Sequence, residues 1–284
     1  MSGTPMGGAG APLTGEELQR LCDFLYRRTG MSYGESKRYY IERRVAQRIA
    51  MSGAASFPDY MALLRASPSE AGRLVNSFTV NETYFYREEH QLRCLGRSIL
   101  PEIVARRGPG DLVRIWSNPC STGEEPYSIA IWLLENWPMV DAYNIDIAGS
   151  DIDGDVVRAA MEGRYGDRAL ARLPADLVAR YFGPREDGQR RIIDDLRESV
   201  RFGTANLIDP PGMAAEGRFD VVFCRNVLIY FDEASRRAAA ETLFDALAPG
   251  GFLLLGHTES MTRISERFLV RRFEDAVVYQ RPGA

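Results

Sequence analysis

The stretch Arg114-Ile-Trp-Ser-Asn-Pro-Cys-Ser-Thr-Gly-Glu-Glu-Pro-Tyr-Ser128 constrains the fold of this chain more than any other. An apolar strand runs into a turn of small residues, and the turn runs directly into an amphipathic helix. Strand, tight turn and helix in that order are the opening unit of a doubly wound α/β sheet, where a nucleotide-type cofactor sits over the turn.

Two glutamates, Glu124 and Glu125, open that helix. A dinucleotide fold presents bare backbone N–H groups to a pyrophosphate at this point, and the G-x-G-x-x-G pattern that accompanies it is absent. Carboxylates there repel phosphate. They attract a cofactor with a ribose, no phosphate and cationic groups, and S-adenosylmethionine, with its sulfonium and α-amino group, has that chemistry. A local account competes: the macrodipole favours acidic residues in the first turn of any helix, and Thr-Gly-Glu-Glu-Pro is also a capping sequence.

Around this unit the chain divides. Residues 1–12, rich in Gly, Ala and Pro, read as a disordered tail. Residues 13–80 read as an all-helical domain with helices from Thr14 to Arg28, Tyr39 to Ala50, Pro58 to Ala66 and Ser69 to Phe78. Residues 81–110 form a linker and a long helix, Glu88 to Arg107, that tolerates or kinks at Pro101. From Asp111 onward strands and helices alternate. Strands are expected at Leu112–Ser117, Asn144–Ser150, Phe219–Cys224 and Gly251–Gly256, with helices at Glu124–Asn136, Asp153–Glu162 and Asp232–Leu247. The runs Phe268–Phe273 and Ala276–Gln280 fit an antiparallel end. The fold class is therefore α/β, a doubly wound, Rossmann-like sheet over residues 111–284 with helices on both faces. Between about residues 165 and 200 the alternation fails, and short strands at Gln189–Ile193 and Ser199–Gly203 predict a small β insertion.

Composition narrows the function. The net charge of −4 does not suggest nucleic acid, and no apolar run is long enough to span or insert into a membrane. The start of the chain lacks the regions of a signal peptide. The four cysteines are scattered, which suggests a reducing, cytoplasmic compartment and no zinc site. Only two histidines, His90 and His257, are present, which argues against a His-ligated metal and against a His general base. Lys37, Arg38, Arg43, Arg44 and Arg48 form a basic run whose counterpart is an acidic partner surface, or which is simply a solvated helix face. Arg44 and Arg48 share a stripe with Lys37 and Ile41, and Arg43 lies to one side.

Asp151 ends the second strand, where an acidic residue hydrogen-bonds ribose hydroxyls or caps the next helix. Asn206 and Asn226 both follow strands, at the carboxyl ends where open sheets bind ligands. Each is otherwise a turn residue. Tyr230 has a ring suited to a sulfonium. The segment Asn81 to Arg87 reads as a lid over a ligand or as an aromatic hinge.

Taken together these residues resemble the chemotaxis receptor methyltransferases of the CheR family. Five blocks carry the resemblance: Asn81-x-Thr-x-Phe-x-Arg87, Ser121-Thr-Gly-Glu-Glu-Pro-Tyr-Ser128, Ser150-Asp-Ile-Asp153, Cys224-Arg-Asn-Val-x-Ile-Tyr-Phe231 and Gly256-His-x-Glu259. The resemblance implies an enzyme that methylates glutamates on chemoreceptor signalling helices, with S-adenosylhomocysteine as product. It implies cofactor contacts at Asn81, Thr83, Arg87, Glu124, Asp151, Asn206, Leu207, Asn226 and Val227, with Tyr230 near the transferred methyl. It also implies an arginine near that site, for which Arg106 or Arg107 is the candidate. Arg43, Arg44 and Arg48 would dock the acidic receptor bundle. The insertion, short around Phe182-Gly-Pro184, makes a tether for a receptor tail peptide doubtful. A monomer is expected, with no metal. The alternatives are a dinucleotide oxidoreductase, or a binding module of the same fold that senses cofactor or docks a partner without turnover.

Overall fold

The computed structural model describes residues 12–283. The expected disordered tail, residues 1–12, lies outside the described residues apart from Pro12. The chain forms two compact units, one running to Val80 and including Tyr230–Asp232, the other formed by Asn81–Ile229 and the chain from Glu233 onward.

The first unit contains four helices: α1 (Gly15–Thr29), α2 (Arg38–Ser52), α3 (Phe57–Ala66) and α4 (Pro68–Phe78). Their ends are written in the sequence. Thr14 and Glu17 close a capping box on α1, and Gly30 ends it in the left-handed conformation at φ 70°. Ser56 and Ser67 cap α3 and α4, each followed by a proline in the first turn. The apolar stripe Ile41, Val45, Ile49 of α2 is buried with Leu21, Leu25, Tyr60, Leu64 and Phe78.

Two of the three basic residues expected to dock a partner are part of this packing. The Arg48 guanidinium lies 2.6 Å from Glu70, with side chains only 11% and 5% exposed, and the Tyr60 hydroxyl donates to the same carboxylate at 2.9 Å. Arg44 donates to the Ser77 carbonyl and stacks over the Tyr40 ring at 4.3 Å. The stripe shared with Ile41 is the inward edge of the helix, because Ile41 is fully buried. Arg44 and Arg48, expected to dock a partner, are thus held by contacts within the helical unit, whereas Arg43 is exposed.

The second unit begins with α5 (Glu89–Cys94) and α6 (Leu100–Val104), joined by a π-helical turn over Leu95–Ile99. The expected long helix is thus interrupted before Pro101, not at it. A Cβ on Gly96 would fall 2.2 Å from the Trp132 ring, so this turn packs as it does only with glycine. There follow β1 (Leu112–Ser117), α7 (Glu124–Asn136), β2 (Asn144–Asp151), α8 (Gly154–Glu162), β3 (Arg164–Gly166), α9 (Asp167–Leu170) and α10 (Ala175–Tyr181). Then come β4 (Phe182–Glu186), β5 (Gln189–Ile192), α11 (Asp194–Ser199), β6 (Val200–Thr204), α12 (Pro210–Ala215), β7 (Phe219–Cys224), α13 (Glu233–Ala246), β8 (Leu247–Leu255), β9 (Leu269–Arg272) and β10 (Val277–Gln280).

The main sheet has the order β6-β2-β1-β7-β8-β10-β9. The first five strands are parallel, and β10 and β9 close it antiparallel. The chain winds outward from β1 through β2 to β6, then returns to lay β7 and β8 on the other side. The crevice at the carboxyl ends of β1 and β7 is therefore the switch point, where such sheets bind ligands. A separate antiparallel sheet, β3-β5-β4, is the insertion. The strand expected at Ser199–Gly203 belongs elsewhere: as β6 it pairs in parallel with β2, from Ile147↔Val200 to Asp151↔Thr204. Among the described residues no helix is long and apolar enough to cross a membrane.

Candidate functional site

The turn after β1 is pinned to both neighbouring strands. Asn118 N donates to Phe223 O at 2.9 Å, and Cys120 N to Ser150 O at 2.8 Å. Gly123 then sits at φ 92°, where a Cβ would meet Ala160 at 2.8 Å. From the insertion, the Tyr165 hydroxyl donates to Thr122 O at 2.8 Å. These contacts set the start of α7 directly over the switch point.

The two glutamates there have separate jobs. Glu124 is 4% exposed, its carboxylate accepts from Thr122 Oγ1 at 2.6 Å, and burial raises its pKa. Glu125 instead accepts from Ser117 Oγ at 2.8 Å and pairs with Arg225. Gly123, at the cap position, makes no side-chain cap bond. The Thr122 hydroxyl and the backbone N–H of Glu124 itself do not offset that burial, and a carboxylate so placed is costly unless a cation arrives.

At the end of β2 the acids are likewise divided. Asp153 caps α8, accepting from Asp155 N at 2.9 Å and Val156 N at 3.4 Å, and from Asn81 Nδ2 at 3.3 Å. Asp151 is 3% exposed and accepts from Ser121 N at 2.9 Å and Asp153 N at 3.0 Å. Burial outweighs those bonds and pushes its pKa up to about 6. Capping thus falls to Asp153, and Asp151 spans the turns after β1 and β2.

Asn206 lies next to Asp151, because Ala205 N donates to Asp151 O at 3.1 Å. Its own Oδ1 accepts from Ile208 N at 3.2 Å, so it also shapes its turn, and Leu207 beside it is buried. Asn226 sits at φ 59°. The Glu259 carboxylate holds it there, accepting from the N–H groups of Asn226 (2.8 Å), Leu228 (2.7 Å) and Gly256 (2.9 Å). Val227 is buried. The segment carrying Asn81, Thr83 and Arg87 is anchored by Phe85 N to Ala169 O and by Tyr86 N to Ser128 Oγ, both at 3.0 Å. Arg87 donates to Glu82 O at 2.8 Å.

Two expected residues stand apart. Arg106 lies with Asp220, Gly250 and Gln280 at the amino ends of the strands, and Arg107 pairs with Asp220 at the start of β7. The structure does not bring either to the carboxyl-end crevice, because the turn after α6 that carries them leads into β1 at its amino end. Tyr230 belongs to the helical unit, where its carbonyl accepts from Ser32 N at 3.1 Å.

Four residues beyond the expected set take part. Glu259, Ser121 and Arg225 stand in the quoted blocks without a role of their own, and Glu88 had no signal. Ser121 takes φ 48° and its Oγ is buried without a partner. An unpaired hydroxyl beside two buried carboxylates fits a polar, cationic, ribose-bearing ligand. Burial raises the thiol pKa of Cys94 to about 12 and those of Cys120 and Cys224 well above the usual value, which keeps all three protonated and unreactive. Among the described residues no cluster of ligating side chains suited to a metal occurs.

Comparisons with known proteins agree with this geometry. Residues 16–79 match the family described as CheR methyltransferase, all-alpha domain, and residues 81–277 match CheR methyltransferase, SAM binding domain. The chain is 46% identical over 272 residues to chemotaxis protein methyltransferase 2 of Vibrio cholerae, covering 95% of this chain and 94% of that one. It is 37% identical over 256 residues to chemotaxis protein methyltransferase 2 of Pseudomonas aeruginosa, covering 89% of each. The chain belongs to the CheR family of S-adenosylmethionine-dependent methyltransferases.

Proposed function

We propose that the protein methylates glutamate side chains on the cytoplasmic helical bundle of chemoreceptors, forming glutamyl methyl esters and releasing S-adenosylhomocysteine. The observation that carries this reading is the pair of buried carboxylates, Glu124 and Asp151, at the switch point of the sheet. They suit a sulfonium cofactor and would repel a pyrophosphate. The similarity to proteins named chemotaxis protein methyltransferases supports the receptor as acceptor.

When bound, S-adenosylmethionine supplies an electrophilic methyl group. In this reading Asp151 would accept the ribose hydroxyls and Glu124 the methionine amino group, and Arg87 would supply the charge complementary to the methionine carboxylate. Asn81, Thr83, Asn206, Leu207, Asn226 and Val227 would complete the cradle, and the family resemblance assigns Tyr230 to the methyl. The acceptor glutamate is ionised at neutral pH, so the chain needs no base and no proton moves. Carboxylate and sulfonium give an ester and a thioether, both neutral at the reacting atoms. Charge is lost as the bond forms, so alignment and exclusion of water supply the acceleration. The helical unit, residues up to Val80 with exposed Arg43, is assigned to the acidic receptor surface.

Calorimetry with S-adenosylhomocysteine and with NAD tests the cofactor assignment. Binding of the first and not the second is expected; the reverse would refute it.

A further inference from the structure

Two residues in left-handed backbone flank Arg87: Tyr86 and Glu88, each at φ 57°. Neither is glycine, and two such residues within three persist only where the surroundings over-determine them. Arg225, at the end of β7, does much of this. Its side chain is 4% exposed. One guanidinium nitrogen pairs with Glu125 Oε2; the other reaches the Arg87 carbonyl at 3.1 Å and Glu88 Oε2 at 3.3 Å. Gln91 completes the frame, donating to Glu88 Oε2 at 3.0 Å and to Leu255 O at 2.8 Å.

We infer that Arg225 is a positioning residue: it sets Arg87 in register with Glu124 and Asn226 while touching neither cofactor nor acceptor. Glu125, its partner, is the neighbour of Glu124 in the first turn of α7, and Asn226 is its own neighbour on the chain. One guanidinium therefore fixes the spacing of three groups assigned to the cofactor. A planar fork makes several directed bonds at once, which an ammonium at the same place does not. The inference rests on the assignment of Arg87 to the cofactor made above.

A double-mutant cycle on S-adenosylhomocysteine affinity, read by calorimetry with melting temperatures alongside, tests it. Arg225→Lys keeps the buried charge and removes the fork. Arg225→Lys and Arg87→Gln should each weaken binding roughly 10- to 100-fold, the range for a lost charged hydrogen bond. The double variant should bind clearly better than the product of the two losses predicts, because the part of the Arg225 effect that passes through the Arg87 side chain is already lost. Glu88→Gln, which loosens Arg225 from the bent segment, should show the same non-additivity and carries the test if Arg225→Lys does not fold. Losses that multiply, or a lower melting temperature with unchanged affinity, would leave Arg225 a merely structural residue and overturn the inference. Failure of the wild type to bind S-adenosylhomocysteine would instead overturn the cofactor assignment itself.

Discussion

Asp151, at the end of β2, accepts a hydrogen bond from the backbone N–H of Ser121 at 2.9 Å, tying the turn after β1 to the turn after β2. Both turns lie at the carboxyl edge of the parallel sheet, so the carboxylate fixes the floor of the crevice. Ser121 is held at φ 48° with its hydroxyl buried and unpaired.

Burial of the Asp151 carboxylate should make cofactor binding depend on pH. Burial raises the folded pKa of Asp151 to about 6, above the roughly 3.9 of an unfolded chain. The folded protein therefore binds more protons than the unfolded one between those values. Stability from this group is greatest below the unfolded pKa and falls as pH rises through about 6. Binding has the opposite sign, because ribose hydroxyls donate to the ionised carboxylate. Affinity for S-adenosylhomocysteine should rise with pH through about 6 and then level, at up to about tenfold per pH unit for this group. Burial also raises the pKa of Glu124, which acts in the same direction. Calorimetry across this range checks it, and a flat profile would count against the carboxylate contacts.

Glu124→Gln and Asp151→Asn should each weaken S-adenosylhomocysteine binding by about 1–3 kcal/mol, the range for a lost charged hydrogen bond. Melting temperatures should fall little, since Asp153 supplies the helix cap. Unchanged affinity with a lowered melting temperature would assign the pair to structure.

Within the helical unit the arginines of α2 should separate. Arg48→Ala leaves the Glu70 carboxylate buried without its guanidinium and should cost about 3–5 kcal/mol of stability. Exposed Arg43→Glu should leave stability within about 0.5 kcal/mol and slow receptor methylation at low salt. Denaturant titration and initial rates distinguish them; equal stability losses would contradict the assignment.

Gly256→Ala should disturb the cradle from below. The added Cβ would fall 2.8 Å from Asn226 Nδ2 and 2.9 Å from Glu259 Oε2. Because Glu259 holds Asn226 in its left-handed conformation, cofactor affinity should fall together with about 1–3 kcal/mol of stability from overpacking. An unaltered affinity would mean that the Asn226 turn is not part of the site.

The bounds of β1, α7 and β7 were legible because each is framed by strong signals: apolar runs on one side and small residues, a glycine or a cap on the other. Which acid does what was not. Glu124 and Glu125, or Asp151 and Asp153, are equivalent in a string and differ only in burial and partner. Arg44 and Arg48 read as a docking face or a solvated charge run because Glu70, which takes Arg48, lies on another helix. Arg106 illustrates a signal present but unused: residues that lead directly into a parallel strand lie at its amino end, away from the ligand-binding edge. The π turn at Leu95–Ile99 answers to Trp132, a long-range contact that local patterning does not register.

The most direct test of the account is transfer of labelled methyl from S-adenosylmethionine to chemoreceptor signalling domains, followed by alkaline treatment and peptide mapping. The account predicts label on glutamate side chains that base releases as methanol, and no label with Glu124→Gln and Asp151→Asn combined. Base-stable label, or label on residues other than glutamate, would contradict it.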